Sequence, residues 1–349
     1  MLERSSGGGR HDAARRTHKG RHDAEHIDDA TPAVGRRSCA GRRRGARLRR
    51  PYTARATPRV PAGGAWPDEL ILPEGFHPAG IGIGPAPYAY FGSLLGGAIY
   101  RVALATGRGK VINPGGGEGH FAVGLQVDDR QRVFVAGGWG RTITVMDGVT
   151  GQVIRTYEVG NADTFVDHLV VTPRMVWCTD SFSGQLFGLP LGPGGRLPAP
   201  HEVVTLPLTG EWVQGPSDGL SATGISTTPD GRSLLVVNIH AGGGSLFRVD
   251  PATGTARKVD LGGVTLPTTN GILLRGRTLY APRQSDLAVF HLDPTGFGAH
   301  LFKTVADPRF DTPCAAAVHN GRIYLPNSRF PLPPEPGTPY NAVSLPLPL

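Results

Sequence analysis

From Trp66 onward the chain repeats a unit of about 44 residues, and this constrains its fold more than any other feature. Each unit has a short turn, then an apolar run with an aromatic or β-branched residue at its centre. The centres are Tyr90, Phe134, Trp177, Val236, Tyr280 and Tyr324, separated by 44, 43, 59, 44 and 44 residues. A second run closed by a turn follows most of them: IYRVALATG (99–107), ITVMDGVTG (143–151), LFRVDPATG (246–254) and VFHLDPTG (289–296). Several short strands per unit at this period mark a β-propeller, whose blades stack radially because none can bury both faces alone. The expected fold is therefore all-β, a six-bladed β-propeller. The 51 Gly and 32 Pro exclude a helix bundle, since both residues interrupt long helices.

The 59-residue interval places an insertion of about 15 residues within 192–219. The last unit, IYLPN followed by YNAVSLPL, lacks an outer strand. ELILPEGF (69–76), just ahead of the first unit, can supply it, so that the N-terminal strand closes the ring and removes exposed sheet edges. One propeller domain, 66–349, is expected after an extension, 1–65.

The net charge of +8 belongs to that extension. Residues 1–63 hold 16 of the 36 Lys and Arg but 6 of the 28 Asp and Glu. Rich in Arg, Gly, Ala and Pro and nearly free of large aliphatics, the stretch is expected to be a disordered basic arm. It reads as the product of a GC-rich gene translated in the wrong frame ahead of the true start. It carries no apolar signal-peptide core, so the protein is cytoplasmic if that start is correct. Tyr52 is the only aromatic before Trp66, and the body has no basic excess to attract phosphate, which argues against nucleic acid. No run reaches the length of a membrane span. Three scattered Cys, with no CxxC, make no disulfide framework. The chain is expected to be a monomer.

Within each unit the innermost strand precedes the aromatic run. These strands begin at Ala79-Gly80, Val123-Gly124, Asp167-His168, Thr223-Gly224, Asn270-Gly271 and Ala315-Ala316. Their starting ends surround one mouth of the central channel, so a small-molecule site there would draw on Asp167, His168, Thr223 and Asn270. His240 and Arg283 follow aromatic runs and reach the rim. Strand alternation sends consecutive side chains to opposite faces, so His168 is expected to turn from the channel if Asp167 faces in. Gly215-Pro216-Ser217-Asp218-Gly219 matches a nucleophile-elbow string but lies in the insertion, without the strand-to-helix turn that the motif needs.

LPEGFHPAGIGIG, YFGSLLGGAIYRVALATG, TDSFSGQLFGLPLGPGGRLP, LFRVDPATGTARKVDLGG and RIYLPNSRF together resemble the senescence-marker-protein/gluconolactonase group of six-bladed propellers. The resemblance covers about 70–349 and is closest to a secreted actinobacterial branch, which implies secretion. Some of that branch are labelled superoxide dismutase, but the body's eight His form no His-x-His pair for a copper–zinc site. The group's enzymes are lactonases that hold a divalent ion, often calcium, at the channel mouth. Here Ala79 stands where the group has its first-strand Glu, Thr223 where it has the middle Asn, and Asn270 where it has the later Asp. The resemblance thus implies a divalent metal, calcium or zinc, held weakly by Asp167 and Asn270. Asp167 is the candidate catalytic carboxylate, with His168, Thr223, Asn270, His240 and Arg283 as substrate-binding candidates. Two readings stand: a metal-assisted lactone or ester hydrolase with an incomplete metal site, or a non-catalytic propeller that binds a small ligand, sugar or protein at its mouth.

Overall fold

The computed structural model describes residues 66–330 and 335–349. The disordered arm expected over 1–65 lies outside them. The described residues form six sheets, antiparallel but for one short edge strand of the fourth, which are the blades of a six-bladed β-propeller. Blade 1 runs through Pro78–Ile83, Tyr88–Ser93, Ile99–Ala103 and Gly109–Asn113, from the inside outward. The inner strands of blades 2 to 6 are Leu125–Val127, Val166–Val171, Ala222–Thr227, Leu273–Arg275 and Ala317–His319.

The six repeat centres all lie in second strands and are at most 5% exposed. They stitch neighbouring blades together. The Tyr90 hydroxyl donates to the Gly148 carbonyl of blade 2 at 2.9 Å, and that of Tyr280 donates to the Pro348 carbonyl at 2.9 Å. The recurring turn after the third strands has an equally local cause. Asp147 Oδ1 accepts from the backbone N–H groups of Val149 (2.9 Å) and Thr150 (2.7 Å). The Thr150 bond leads in holding the Asp147 carboxyl below its usual range. Gly151 then turns the chain at φ 75°, where a Cβ would meet the Ile112 carbonyl oxygen at 1.9 Å, so only glycine fits.

The inserted residues divide between two places. Two short 3-10 turns, Pro193–Gly195 and Pro200–Glu202, lengthen the connection to the outer strand of blade 3, Val204–Pro207. The rest forms the crossover to blade 4, where Thr209–Gly210 runs parallel to Thr255–Lys258 and Trp212 lies 5.2 Å from Phe247. The Gly215–Gly219 string sits in this crossover and is followed by a strand, Ala222–Thr227, which leaves the nucleophile-elbow geometry unformed.

Blade 6 takes its outer strand from the other end of the described chain. Glu69–Leu72 pairs antiparallel with Tyr340–Pro346, Leu72 opposite Tyr340. Leu70 and Leu72 are buried in one cluster with Tyr340 and Ala342. The Arg322 guanidinium holds the Asp68 carboxylate at the start of this strand. Among the described residues no helix is long and apolar enough to cross a membrane.

Candidate functional site

The inner strand of blade 3 does not alternate at its start. Val166 is opposite Asp180 and Leu169 opposite Cys178, so two residues, Asp167 and His168, face Thr179 alone. This is a β-bulge, which re-aims side chains. The expected divergence of Asp167 and His168 is thereby corrected: Asp167 Oδ1 lies 2.6 Å from His168 Nδ1. The His168 backbone N–H donates to Thr179 Oγ1 at 3.0 Å, which fixes the bulge. Register shifts also interrupt the starts of the inner strands of blades 1 and 4.

Both groups are buried, Asp167 3% and His168 8% exposed. The Ser181 hydroxyl sits 2.7 Å from Asp167 Oδ2 and 2.6 Å from the Ala222 carbonyl. Both carboxylate oxygens therefore have partners. A carboxylate only accepts, so Nδ1 donates to it, and in the uncharged form of the ring the lone pair sits on Nε2. Nε2 is buried and has no hydrogen-bond partner among the described residues. A buried polar atom left unpaired is costly, which makes it a natural place for a ligand or water.

These two side chains and Asn270 are the polar part of a cavity of about 280 Å³ at the channel mouth. The remainder is apolar: Ala79, Leu94, Val123, Phe165, Leu220 and Phe330. His168 also lines the narrow axial space beneath, beside Gly271 and Ala315. A Cβ on Gly271 would lie 3.0 Å from Nε2, so this nitrogen abuts the axial space that the glycine leaves free of a side chain. Behind Phe330, His77 stacks on Tyr340 at 5.7 Å, and burial lowers its pKa, so it serves as a neutral ring in the wall. Cys314 and Cys178 are buried; burial pushes the Cys314 thiol up to about 12 and raises that of Cys178, so neither supplies a thiolate. A larger cleft of about 510 Å³ lies at the other end of the inner strands, where Arg132 is already paired with Asp128.

The structure thus brings Asp167, His168 and Asn270 together and leaves Thr223, His240 and Arg283 outside the cavity. Thr223 is fully buried and its hydroxyl donates to the Thr269 carbonyl at 2.8 Å, a link between blades 4 and 5. Arg283 is held by Asp286 through two bonds of 2.6 and 2.8 Å. His240 is exposed at the rim, and its N–H donates to Asn238 Oδ1 at 3.0 Å.

The donor set does not fit a hard divalent ion. Calcium takes six to eight oxygens, and the cavity offers one carboxylate, already engaged by His168 and Ser181, and one amide. Among the described residues no three His, Cys, Asp or Glu side chains converge.

No protein-family model matches the chain, and no curated protein matches it. Solved structures do. The major Malassezia sympodialis allergen Mala s 1 superposes with a TM-score of 0.62 at 14% identity, over 80% of this chain and 96% of its own. A calcium-binding regucalcin from Agrobacterium tumefaciens gives 0.53 at 14%, over 78% and 92%. A Xanthomonas campestris gluconolactonase gives 0.51 at 19%, over 82% and 91%. At such identities the likenesses establish the propeller fold.

Proposed function

We propose that this propeller hydrolyses a small lactone or ester at its channel mouth, with His168 as the general base and Asp167 as its orienting partner. The observation that carries the reading is a hydrogen-bonded, buried Asp–His pair that lines a ligand-sized cavity and whose Nε2 has no partner among the described residues. In this reading a water beside Nε2 loses its proton to His168 as its oxygen attacks the lactone carbonyl carbon. The tetrahedral intermediate collapses with cleavage of the ring C–O bond. The proton on Nε2 passes to the departing alkoxide, which yields the hydroxy acid. Asp167 receives no proton; it holds the Nδ1–H tautomer and stabilises the imidazolium. The Asn270 amide is the remaining polar side chain of the lining and would donate to the carbonyl oxygen. No step runs through a metal, because the donor set does not suit one. The fold likeness to a gluconolactonase is compatible with this chemistry, and the chemistry rests on the site.

A second reading, ligand binding without turnover, is favoured by the lining itself, six of whose nine side chains are apolar. One experiment separates the two. Initial rates on a panel of γ- and δ-lactones and aryl esters are measured by proton release, with and without a chelator. The expected result is turnover of at least one substrate that the chelator leaves unchanged. Binding of those compounds without any turnover would establish the second reading. Loss of turnover on chelation would put a metal back into the mechanism.

A further inference from the structure

The apolar wall of the cavity does not end at the mouth. Phe165, which lines it, also packs edge-on against Trp139 at 5.2 Å and against Phe182 at 6.2 Å. Trp139 and Phe182 lie 4.7 Å apart, and Trp139 is 46% exposed. Rings from blades 2 and 3 thus form a continuous aromatic surface running out from above His168.

This surface is held in fixed register with the Asp–His pair. Trp139 follows Gly138, whose N–H donates to the Val166 carbonyl at 2.9 Å and whose carbonyl accepts from Val166 at 3.2 Å. Val166 is the residue before Asp167, so the loop that presents the indole is bridged to the strand that carries the pair. A second device fixes the other two rings. Asp180, fully buried, accepts through Oδ1 from the backbone N–H of Phe165 at 3.1 Å and of Phe182 at 3.2 Å. One carboxylate thereby positions both phenylalanine backbones. A merely incidental exposed tryptophan would need neither bridge nor clamp.

We infer that Trp139, Phe165 and Phe182 form a subsite for an apolar tail, and that the compound taken is a lactone or ester carrying an unbranched alkyl or comparable hydrophobic substituent. The inference rests on the hydrolase reading for the reacting end and extends it to the rest of the molecule. The geometry suits such a compound: the polar ring fits the cavity that Asp167, His168 and Asn270 line while the tail leaves across Phe165 onto the exposed indole face. Compact polyhydroxylated lactones would leave this surface wet and unused.

The test is kcat/KM on γ-lactones whose 5-alkyl chain grows from one carbon to nine, for the wild type, Trp139→Ala and Trp139→Phe. Wild-type kcat/KM is expected to rise roughly twofold per added CH2, less than full burial would give because one side of the tail stays in water. Trp139→Ala should flatten that rise, and Trp139→Phe should retain most of it. A wild-type series with no dependence on chain length, or a rise that Trp139→Ala leaves intact, overturns the subsite while leaving the hydrolase reading untouched. If no lactone or ester is hydrolysed, the hydrolase reading fails and the subsite is tested alone by tryptophan emission. Titration with the matching 5-alkyl γ-lactams should then shift the emission at concentrations that fall as the chain lengthens, a response absent from Trp139→Phe. No chain-dependent response overturns the subsite as well.

Discussion

His168→Gln is expected to lower kcat/KM on any hydrolysed lactone by about 10²–10⁴-fold, the range that a positioned general base contributes. Glutamine keeps a polar group of similar reach but has no nitrogen lone pair to take a proton. Asp167→Asn should cost a comparable factor for a different reason. Its amide can donate towards Nδ1, which favours the tautomer with the proton on Nε2 and leaves no base facing the cavity. Non-additivity is the informative part. Because the two residues act as one unit, the double variant should be little worse than the worse single one. Asp167 makes its bonds inside blade 3 and to Ser181, so thermal melting of each variant separates loss of chemistry from loss of fold. Multiplicative losses in the double variant would show that the residues act separately.

Deletion of residues 66–72 is expected to produce the largest loss of stability of any short truncation at the described ends. It removes Leu70 and Leu72, both buried against Tyr340 and Ala342. It also leaves Tyr340–Pro346 without its outer partner. Removing a buried Leu side chain typically costs about 2–5 kcal/mol, so two of them take a large share of the ~5–15 kcal/mol that holds a typical domain. A melting temperature lower by more than about 10 °C is expected. The double substitution Leu70→Ala/Leu72→Ala should reproduce most of that drop while keeping the strand's backbone bonds. A melting curve unchanged by the deletion would mean that blade 6 holds without its fourth strand.

The repeat by itself makes the architecture readable. Its centres mark second strands, and its D-x-x-T-G turns are local: Asp147 and Gly151 shape their own loop with atoms a few residues away. The mouth was readable for the same reason, because the period aligns the inner strands and so brings Asp167 and Asn270 to one end. The pairing of Asp167 with His168 was not. It depends on two residues facing Thr179 across the sheet, a matter of register that no local pattern displays. Thr223 shows the converse, since alignment places it at the mouth but its hydroxyl is spent on the next blade. The aromatic surface escaped notice because Trp139, Phe165 and Phe182 belong to different loops of two blades. One available signal was that all three adjoin strand ends on the face that bears the inner-strand starts.

In the proposed hydrolysis the proton passes to Nε2 of His168. Gly271→Ala tests that role, because the added methyl would lie 3.0 Å from Nε2 and 3.0 Å from Ala315 Cβ, so that the ring or its neighbour must give way. The measurement is kcat/KM for the best lactone in the presence of chelator, alongside the melting temperature. A fall of at least about tenfold is expected in a protein that still melts cooperatively, since the methyl crowds the nitrogen that takes the proton. Wild-type kcat/KM in a folded Gly271→Ala protein would contradict it and place the chemistry elsewhere.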